Sequence, residues 1–247
     1  MNSSMPFTGQ TIVITGGASG FGLGMTQKFS AKGGKVVIVD INEDLGKDVA
    51  REVTNATYIC CDVSSNESVS SLFAQLDQVD VLINNAGIAH LPTPAEEISE
   101  DEFDRVFAVN AKSVYLTSKY VIPMMKNAGH GVILNIASTA GVSPRPNLSW
   151  YNASKGWMIT ATKSLAIELA PFNIRVNAIN PVAGETPLLS TFMGEDTPQN
   201  RERFLSSIPI GRFSTPDDIA NTACFLCSAE ADMITGVALE VDGGRCI

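Results

Sequence analysis

The sequence predicts an α/β fold in which helices cover both faces of a parallel sheet, and three observations lead to it. First, the 247 residues are 45% apolar and 17% charged, a composition typical of a compact globular domain. Second, short β-branched runs alternate with helix-length segments along the whole chain. Third, most of these runs are continuously apolar, as in strands that are buried on both faces.

Seven strands and six helical segments make up this alternation. The predicted strands are Thr11–Ile14, Lys35–Val39, Ala56–Cys60, Asp80–Ile83, Gly131–Ile136, Ile174–Ile179 and Val237–Val241. The predicted helical segments are Gly22–Lys32, Asn42–Glu52, Ser65–Leu76, Ser99–Lys126, Trp150–Ala170 and Thr215–Cys227. A cap residue followed by acids begins the segments at Ser99 and Thr215. The Ser99–Lys126 segment is long enough for two helices or one bent helix.

Residues 1–247 are expected to form a single domain, and residues 181–209 are its least regular stretch, rich in Pro, Gly, Thr and Ser. A stretch of this length inside a compact domain is typical of a lid or binding loop. Its apolar side chains would then close over a ligand. The alternative is a pair of surface helices packed on the domain.

The charge balance and the lengths of the apolar runs disfavour two classes of partner, nucleic acids and membranes. The net charge is −9, and no cluster of Lys and Arg is present to bind nucleic acid. The longest uninterrupted apolar run, Ala223–Cys227, is too short to span a bilayer, so no membrane partner is expected. The first ten residues lack the basic and apolar regions of a secretory signal, so a cytoplasmic location is expected.

The five cysteines do not indicate a disulfide framework, because their number is odd and the chain is long. Cys224 and Cys227 form a C-x-x-C pattern, but it lies late in an apolar helical segment. We therefore expect both to be core residues rather than zinc ligands or a redox pair. With only His90 and His130 in the chain, no metal site is expected.

A glycine-rich turn follows the first predicted strand, in Thr15-Gly-Gly-Ala-Ser-Gly-Phe-Gly22. Glycines at 16, 20 and 22 permit a sharp turn, a close approach to a pyrophosphate and tight helix packing. The following helix start would offer free N–H groups to the phosphates. Asp40, at the end of the second strand, would accept hydrogen bonds from ribose hydroxyls and repel a 2′-phosphate, which predicts NAD rather than NADP. The alternative is that Asp40 only caps the next helix.

Tyr151 and Lys155 are spaced i, i+4 on a predicted helix, so they project from one face. A lysine cation beside a tyrosine favours the phenolate. Tyr151 would then act as a general base towards an alcohol or a general acid towards a ketone.

Together with these residues, the chain resembles the short-chain dehydrogenase/reductase family from near its start to its C-terminus. The matching motifs, all in family order, are Thr15-Gly-x-x-x-Gly-x-Gly22, Asp62-Val63, Asn84-Asn-Ala-Gly87, Asn110, Ser138, Tyr151-x-x-x-Lys155, and Pro181 with Thr186. The fold that this resemblance implies is a Rossmann-type, doubly wound parallel sheet.

The resemblance also implies roles for individual residues. Tyr151 would be the proton donor and acceptor, and Lys155 its activator and a ligand of the nicotinamide ribose. Ser138 would bind the substrate oxygen, and Asn110 would hold a water of a proton relay. These four are the predicted catalytic residues. The predicted cofactor-binding residues are Gly16, Ser19, Gly20, Phe21, Gly22, Asp40, Asp62, Val63, Asn84, Ala86, Gly87, Tyr151, Lys155, Pro181 and Thr186.

Two departures from the family pattern bear on function. The family commonly has Pro-Gly after the sixth strand and an aliphatic residue two positions before the threonine, whereas this chain has Val182 and Gly184. This puts the geometry of the lid in question. In addition, the glycine turn has no basic residue, which favours NAD and disfavours an NADP-linked oxoacyl-carrier reductase.

The predicted substrate is a hydrophobic secondary alcohol or its ketone, of aryl or alicyclic type. Apolar residues expected around Tyr151 motivate this hypothesis: Val142, Pro144, Leu148, Trp150, Leu188, Leu189, Phe192 and Met193. His90 would add a polar contact or else lie at the rim. Arg145 would bind an anionic group, but an exposed loop arginine is the favoured interpretation. The predicted substrate-binding residues are thus Ser138, Tyr151, His90, Leu148, Leu188 and Phe192.

Other functions stay open at this stage. They are a 3-oxoacyl-thioester reductase, an isomerase, dehydratase or epimerase that holds NAD tightly, and a non-catalytic NAD-binding sensor or scaffold. The resemblance further implies a homotetramer, with the segments Ser99–Lys126 and Trp150–Ala170 pairing across a two-fold axis.

Overall fold

The structure, a computed structural model, describes residues 5–247, which form one sheet with helices on both of its faces. The strands are β1 (Thr11–Thr15), β2 (Lys35–Asp40), β3 (Ala56–Cys60), β4 (Val81–Asn84), β5 (Gly131–Ile136), β6 (Ile174–Pro181) and β7 (Ala238–Val241). All neighbouring pairs are parallel, in the order β3-β2-β1-β4-β5-β6-β7. The predicted Rossmann-type sheet of seven strands is confirmed.

The α-helices lie between the strands, at nearly the predicted positions. They are α1 (Gly20–Ala31), α2 (Glu43–Glu52), α3 (Asn66–Phe73), α4 (Glu100–Phe107), α5 (Ser113–Ala128), α6 (Ser149–Leu169), α7 (Leu188–Met193), α8 (Pro198–Leu205) and α9 (Pro216–Cys227). A π-helical turn, Ala108–Lys112, joins α4 to α5. The long predicted segment Ser99–Lys126 is therefore two helices joined by a widened turn.

The core has two layers because successive residues of each strand point to opposite faces of the sheet. Ile12 and Ile14 of β1 pack in the layer that includes residues of α1 and α9, whereas Val13 packs in the layer that includes residues of α3, α5 and α6. All three are fully buried. This is the physical reason for the continuous apolar runs, since strands covered on both faces need apolar residues at every position.

Strand order reverses direction between β1 and β4, which are neighbours in the sheet. The chain leaves β1 towards one edge of the sheet and leaves β4 towards the other edge. Their carboxyl ends therefore border a crevice, and ligands of such folds bind at this point.

Residues 181–209 contain the short helices α7 and α8. These helices have a small core of their own, formed by Val182, Leu189, Met193, Phe204, Ile208 and Phe213. The backbone of residues 181–209 therefore contains two helices, as in the alternative of a helix pair packed on the domain.

The cysteine prediction agrees with the structure, because Cys224 and Cys227 are buried in α9. None of the helices within residues 5–247 is long and apolar enough to cross a membrane. Over the same range, no group of three or more His, Cys, Asp or Glu side chains is arranged to hold a metal ion.

Candidate active site

A cavity of about 350 Å³, here called the central cavity, lies at the carboxyl ends of β1, β4, β5 and β6. The glycine turn lines one part of it, and α6, α7 and α8 line another. It brings together most of the residues predicted from the sequence: Gly16, Ser19, Gly20, Phe21, Ala86, Gly87, Ser138, Leu148, Tyr151, Lys155, Pro181, Thr186, Leu188 and Phe192.

The glycine turn depends on two glycines for different reasons. Gly16 has φ +62°, and its N–H donates to the carbonyl of Val39 at 2.7 Å. A Cβ at Gly22 would lie 1.9 Å from the carbonyl oxygen of Gly16, so no side chain fits there. Gly22 therefore permits α1 to begin directly against the turn, which leaves the helix start facing the cavity.

Asn85 holds the glycine turn against the end of β4. Its Nδ2 donates to the carbonyl oxygens of Thr15 and Gly16, at 2.9 and 3.0 Å. The backbone N–H groups of Asn85 and Ala86 in turn donate to Oγ1 of Thr15, at 3.0 and 3.1 Å. These bonds join the two loops on either side of the crevice into one rigid unit.

Asp40 lies beside the same turn, at the end of β2. One carboxylate oxygen accepts a hydrogen bond from the N–H of Ala18 at 3.3 Å, and the other from the N–H of Asn42 at 3.0 Å. The N-cap of α2 is Asn42, whose side chain accepts from Leu45. Asp40 is therefore not the helix cap, and its position next to the glycine turn suits a ribose contact.

Besides Gly22 and Asp40, three other predicted cofactor residues do not line the central cavity. Asp62 accepts hydrogen bonds from the N–H and hydroxyl of Ser64, and Val63 is buried beneath the same turn. The side chain of Asn84 is buried between Asn135, to which it donates at 2.9 Å, and Thr117, from which it accepts at 2.8 Å. These side chains support the loops that follow β3 and β4.

Tyr151 and Lys155 project from α6 into the central cavity, as their spacing predicts, and each is only 4% exposed. The ammonium nitrogen of Lys155 lies 6.0 Å from the centre of the Tyr151 ring and donates to the carbonyl of Ile136 at 2.8 Å. Ser138 lies across from them after β5, where its hydroxyl accepts from the N–H of Ala140.

Burial dominates the ionisation of both groups. It raises the pKa of Tyr151 to about 12, and the neighbouring Ser138 hydroxyl opposes this rise. Burial also lowers the pKa of Lys155 to about 8. Burial is the largest cause at each group, and it favours the uncharged phenol of Tyr151 and the uncharged amine of Lys155. The expected effect of Lys155 on the phenolate stays a prediction.

Asn110 lies in the π-helical turn between α4 and α5 and is fully buried. Its side chain accepts from the N–H of Ile88 and donates to the carbonyl of Ile88, each at 2.9 Å. It also donates to the hydroxyl of Ser154 at 3.0 Å, which connects the turn to α6. A π-turn often marks a functional position, since it leaves backbone groups outside the regular helical pattern.

The short helix α7 presents two different faces. Leu188 and Phe192 pack towards Tyr151, together with Leu148. The rings of Phe192 and Tyr151 meet edge to face, 5.1 Å between centres. Leu189 and Met193 instead point into the core of residues 181–209. The structure therefore brings Leu148, Leu188 and Phe192 to the predicted substrate region, but not Leu189 or Met193.

His90 does not line the central cavity. It is 2% exposed, and its Nδ1 lies 2.8 Å from the carbonyl oxygen of Leu91. It lines a neighbouring cavity, which shares Leu188 with the central one. The predicted substrate contact of His90 is therefore not seen in the central cavity, because the side chain is buried beside the neighbouring one. Val142 and Trp150 also lie outside the central cavity.

The structure contradicts the sequence interpretation of Arg145. Instead of being an exposed loop residue, it is half-buried and lines the central cavity. Its guanidinium lies 4.2 Å above the ring centre of Phe204. The sequence around Arg145 does not show this burial, because the residues that cover the loop belong to α8, far along the chain.

Comparisons with known proteins agree with this geometry. A family model described as enoyl-(acyl carrier protein) reductase matches residues 8–245. A 4-formylbenzenesulfonate dehydrogenase of Comamonas testosteroni is 47% identical over 247 residues, covering 96% of this chain and 98% of that protein. The chain belongs to the short-chain dehydrogenase/reductase family.

Other members of the family are similar over nearly the whole chain. A cyclopentanol dehydrogenase of Comamonas sp. strain NCIMB 9872 is 36% identical and covers 95% of this chain and 96% of that protein. A crystal structure titled 3-ketoacyl-(acyl-carrier-protein) reductase from Brucella melitensis, complexed with NADH, has a TM-score of 0.92 at 50% identity. It covers 97% of this chain and 99% of that chain.

As a short-chain dehydrogenase/reductase, the protein is an oxidoreductase. Two features of its site were not predicted from the sequence. Asn85 lies within the motif Asn84–Gly87, but the motif does not show that its side chain bonds to the glycine turn. The burial of Arg145 depends on the packing of α8.

Proposed function

We propose that this enzyme interconverts a hydrophobic secondary alcohol and its ketone with NAD as the cofactor. The observation that carries the proposal is the meeting of Tyr151, Lys155 and Ser138 in one cavity whose opposite wall is the apolar pair Leu188 and Phe192. The polar side chains provide acid–base chemistry, and the apolar wall excludes water and selects a hydrophobic substrate.

The glycine turn fits a dinucleotide. Gly20 has φ +51° and no side chain, so the backbone of the α1 start is open to the cavity. Asp40 would accept hydrogen bonds from the adenosine ribose, and its charge disfavours a 2′-phosphate. Thr186 lies against the turn, because a Cβ at Gly20 would be 3.2 Å from the Cβ of Thr186. Residues 181–209 would thus act as a lid hinged at this contact.

Oxidation of the alcohol removes a hydride from the carbinol carbon and a proton from the hydroxyl, and leaves the ketone. NAD, when bound, supplies the hydride acceptor. Tyr151 acts in this direction as the phenolate: its own proton passes first to the Lys155 side of the site, and the phenolate oxygen then takes the proton of the alcohol hydroxyl. The Ser138 hydroxyl steadies the developing charge on the substrate oxygen. Lys155, with a pKa of about 8, is positioned to accept and release protons near neutral pH. In the reverse direction, Tyr151 donates the proton to the ketone.

The substrate class rests on the cavity wall. The name of one relative agrees with an alicyclic secondary alcohol, and the name of another agrees with the aryl ring alone. The side chains near Tyr151 are apolar, and an alicyclic or aryl body would fill the space between Leu148 and Phe192. The relatives named above carry the names of an alicyclic alcohol and an aryl aldehyde. We infer oxidation of the alcohol as the physiological direction.

A second candidate is the reduction of a 3-oxoacyl thioester. The observation that favours it is the 50% identical structure whose title names a ketoacyl-carrier reductase. The same Tyr151, Lys155 and Ser138 would serve that reaction. The two functions differ in the size and chemistry of the substrate, so one assay separates them.

The decisive experiment follows NADH formation with purified protein and a panel of aliphatic, alicyclic and aryl secondary alcohols, each with NAD and with NADP. Acetoacetyl coenzyme A with NADH and with NADPH is the thioester arm. Tyr151→Phe, which keeps the ring and loses the proton, is the matched variant and should lose about 100-fold or more.

Turnover of alcohols with NAD that Tyr151→Phe abolishes supports the proposal. Faster turnover of the thioester favours the second candidate. Measured NAD binding without turnover of any substrate would indicate a non-catalytic sensor or scaffold.

We further propose that the chain self-associates as a homotetramer. Tyr115 on α5 and Ile167 on α6 are large apolar side chains that are 55% and 79% exposed. Burial of such side chains against a second copy is favourable. Light scattering that gives the mass of one chain at working concentration would contradict this proposal.

A further inference from the structure

Arg145 is held rigidly at the wall of the central cavity. Its guanidinium stacks on the ring of Phe204, and its Nη2 donates to the hydroxyl of Ser207 at 3.3 Å. Its own carbonyl accepts from Nδ2 of Asn152 at 2.8 Å, which fixes the backbone of the loop before α6. The side chain is therefore positioned on three sides, with most of its five N–H donors unused.

Two further arginines share this region. Arg245, near the C-terminus, donates to the hydroxyl of Ser143, two residues before Arg145. Its Nε is buried and has no hydrogen-bond partner among residues 5–247. Arg203 lies on α8, next to the Phe204 that Arg145 covers. We call Arg145, Arg203 and Arg245 the arginine cluster.

The arginine cluster has no carboxylate partner at ion-pair distance in the part of the chain that the structure describes. Within residues 5–247, none of its three members has an acidic side chain within 4.0 Å, whereas Arg201 and Arg212 each do. Burial and the two neighbouring cations lower the pKa of Arg145 to about 10, so it stays charged at neutral pH. The chain has 26 acidic residues, so the missing partner does not reflect a shortage of acids.

An uncompensated, partly buried cation is unfavourable unless something supplies the opposite charge. Guanidinium groups bind planar or tripodal oxyanions through paired hydrogen bonds. Arg145 lines the same cavity as Tyr151, Leu148 and Phe192, so an anion bound to it would belong to a molecule that also reaches Tyr151.

We propose that the arginine cluster, with Arg145 as the contact residue, binds an oxyanion of the substrate. The substrate is then a secondary alcohol or ketone with a ring or short apolar body, and a carboxylate or sulfonate lies at its far end. This inference rests on the proposed function, since it assigns the substrate class of the same site. Arg203 and Arg245 would attract the oxyanion through their positive charge. Arg245 would also position the loop of Arg145 through its hydrogen bond to Ser143.

The test compares three substrates that differ in one group. They are 1-phenylethanol, 4-(1-hydroxyethyl)benzoate and 4-(1-hydroxyethyl)benzenesulfonate, each oxidised with NAD by the whole chain. The expected ratio of kcat/KM for the anionic substrates over the neutral one is at least about 10, as for a charge-assisted hydrogen bond. The carboxylate and sulfonate arms show which oxyanion fits better.

Arg145→Met keeps the length of the stem and removes the charge, and the ratio is expected to fall to about 1 in this variant. Arg51→Met, an exposed arginine on α2, is the matched control and should keep the wild-type ratio. Should Arg145→Met fail to fold, two other measurements apply. Arg245→Met tests whether the ratio of anionic to neutral substrate falls. The inhibition constants of benzoate and benzyl alcohol compare an anionic ligand with a neutral one in the wild-type protein. Benzoate should be the stronger inhibitor.

The outcomes distinguish failure of the proposed oxyanion site from failure of the proposed alcohol dehydrogenase function. Equal turnover of neutral and anionic alcohols overturns the anion site and leaves the proposed function in place. A ratio that Arg145→Met does not change also overturns it. Absence of turnover with every alcohol and ketone counts against the proposed function. In that case, a rise in the melting temperature on addition of 4-acetylbenzoate, seen in the wild type and lost in Arg145→Met, would still support the anion site. Preference for acetoacetyl coenzyme A over all small anions would overturn the inference.

Discussion

The ring of Phe21 occupies the space that a side chain at position 184 would need. A Cβ added to Gly184 would lie 2.3 Å from Cζ of Phe21 and 2.8 Å from Oγ of Ser214. Phe21 belongs to the glycine turn and Gly184 to the start of residues 181–209, so this contact joins the two. The absence of an aliphatic residue at 184 is thereby explained, because the aromatic ring at 21 fills its place.

We expect Gly184→Ala to lower the free energy of unfolding by about 1–3 kcal/mol, because the ring of Phe21 must move. In the double variant with Phe21→Ala the loss should be smaller than the sum of the two single losses by about 0.5 kcal/mol or more. Urea denaturation measures all three. Gly156→Ala, whose added Cβ meets nothing nearer than 3.7 Å, is the control that should combine additively with Phe21→Ala.

Asn85→Ala should lower the free energy of unfolding by about 1–3 kcal/mol, since it leaves the carbonyls of Thr15 and Gly16 without their donor. The Kd for NAD, measured by calorimetry, should rise because the glycine turn loses its support. Asn221→Ala, at an exposed position of α9, should change stability by less than about 0.5 kcal/mol. An unchanged Kd in Asn85→Ala would show that the turn holds its shape without this side chain.

Lys155 should make stability depend on pH in a defined direction. Its pKa is lowered from 10.5 to about 8, so between these values the unfolded chain binds a proton that the folded chain has released. Stability from this group therefore rises as pH increases from 8 to 10.5. Relative to Lys155→Met, the wild-type protein should gain about 3 kcal/mol between pH 7 and pH 10.5.

The measurement is urea denaturation of both proteins across this pH range, because the difference between them removes the contributions of other groups. Lys163→Met, which removes an exposed lysine from the same helix, is the control for the loss of a lysine side chain. A difference for Lys155→Met that is flat with pH would mean that Lys155 keeps its hydration in the folded state.

Asp40→Ser should raise the KM for NAD about 10-fold and lower the KM for NADP, because it removes both a ribose acceptor and a negative charge. Steady-state kinetics with the two cofactors measures the change. Asp44→Ser alters an exposed acid in the first turn of α2 and should leave both KM values unchanged. Better use of NADP than NAD by the wild-type protein would contradict the role of Asp40.

The strands were predictable to within one or two residues because each is a continuous apolar run between turn residues. The joint between α4 and α5 was predictable only as a choice between two helices and a bend. The π-turn there depends on the bonds of Asn110 to Ile88, a residue 22 positions away, and no local pattern contains that pairing.

The sequence by itself determined the parallel sheet, the glycine turn and the presence of Tyr151 and Lys155 on one helical face. These features follow from local patterns, namely apolar runs, glycine spacing and the helical period. Only the tertiary structure decided the direction of the pKa shifts, the position of His90 beside the neighbouring cavity, the filling of the space at residue 184 by Phe21 and the burial of Arg145. Each of these depends on contacts between segments far apart in the chain, whose packing sets desolvation and free space.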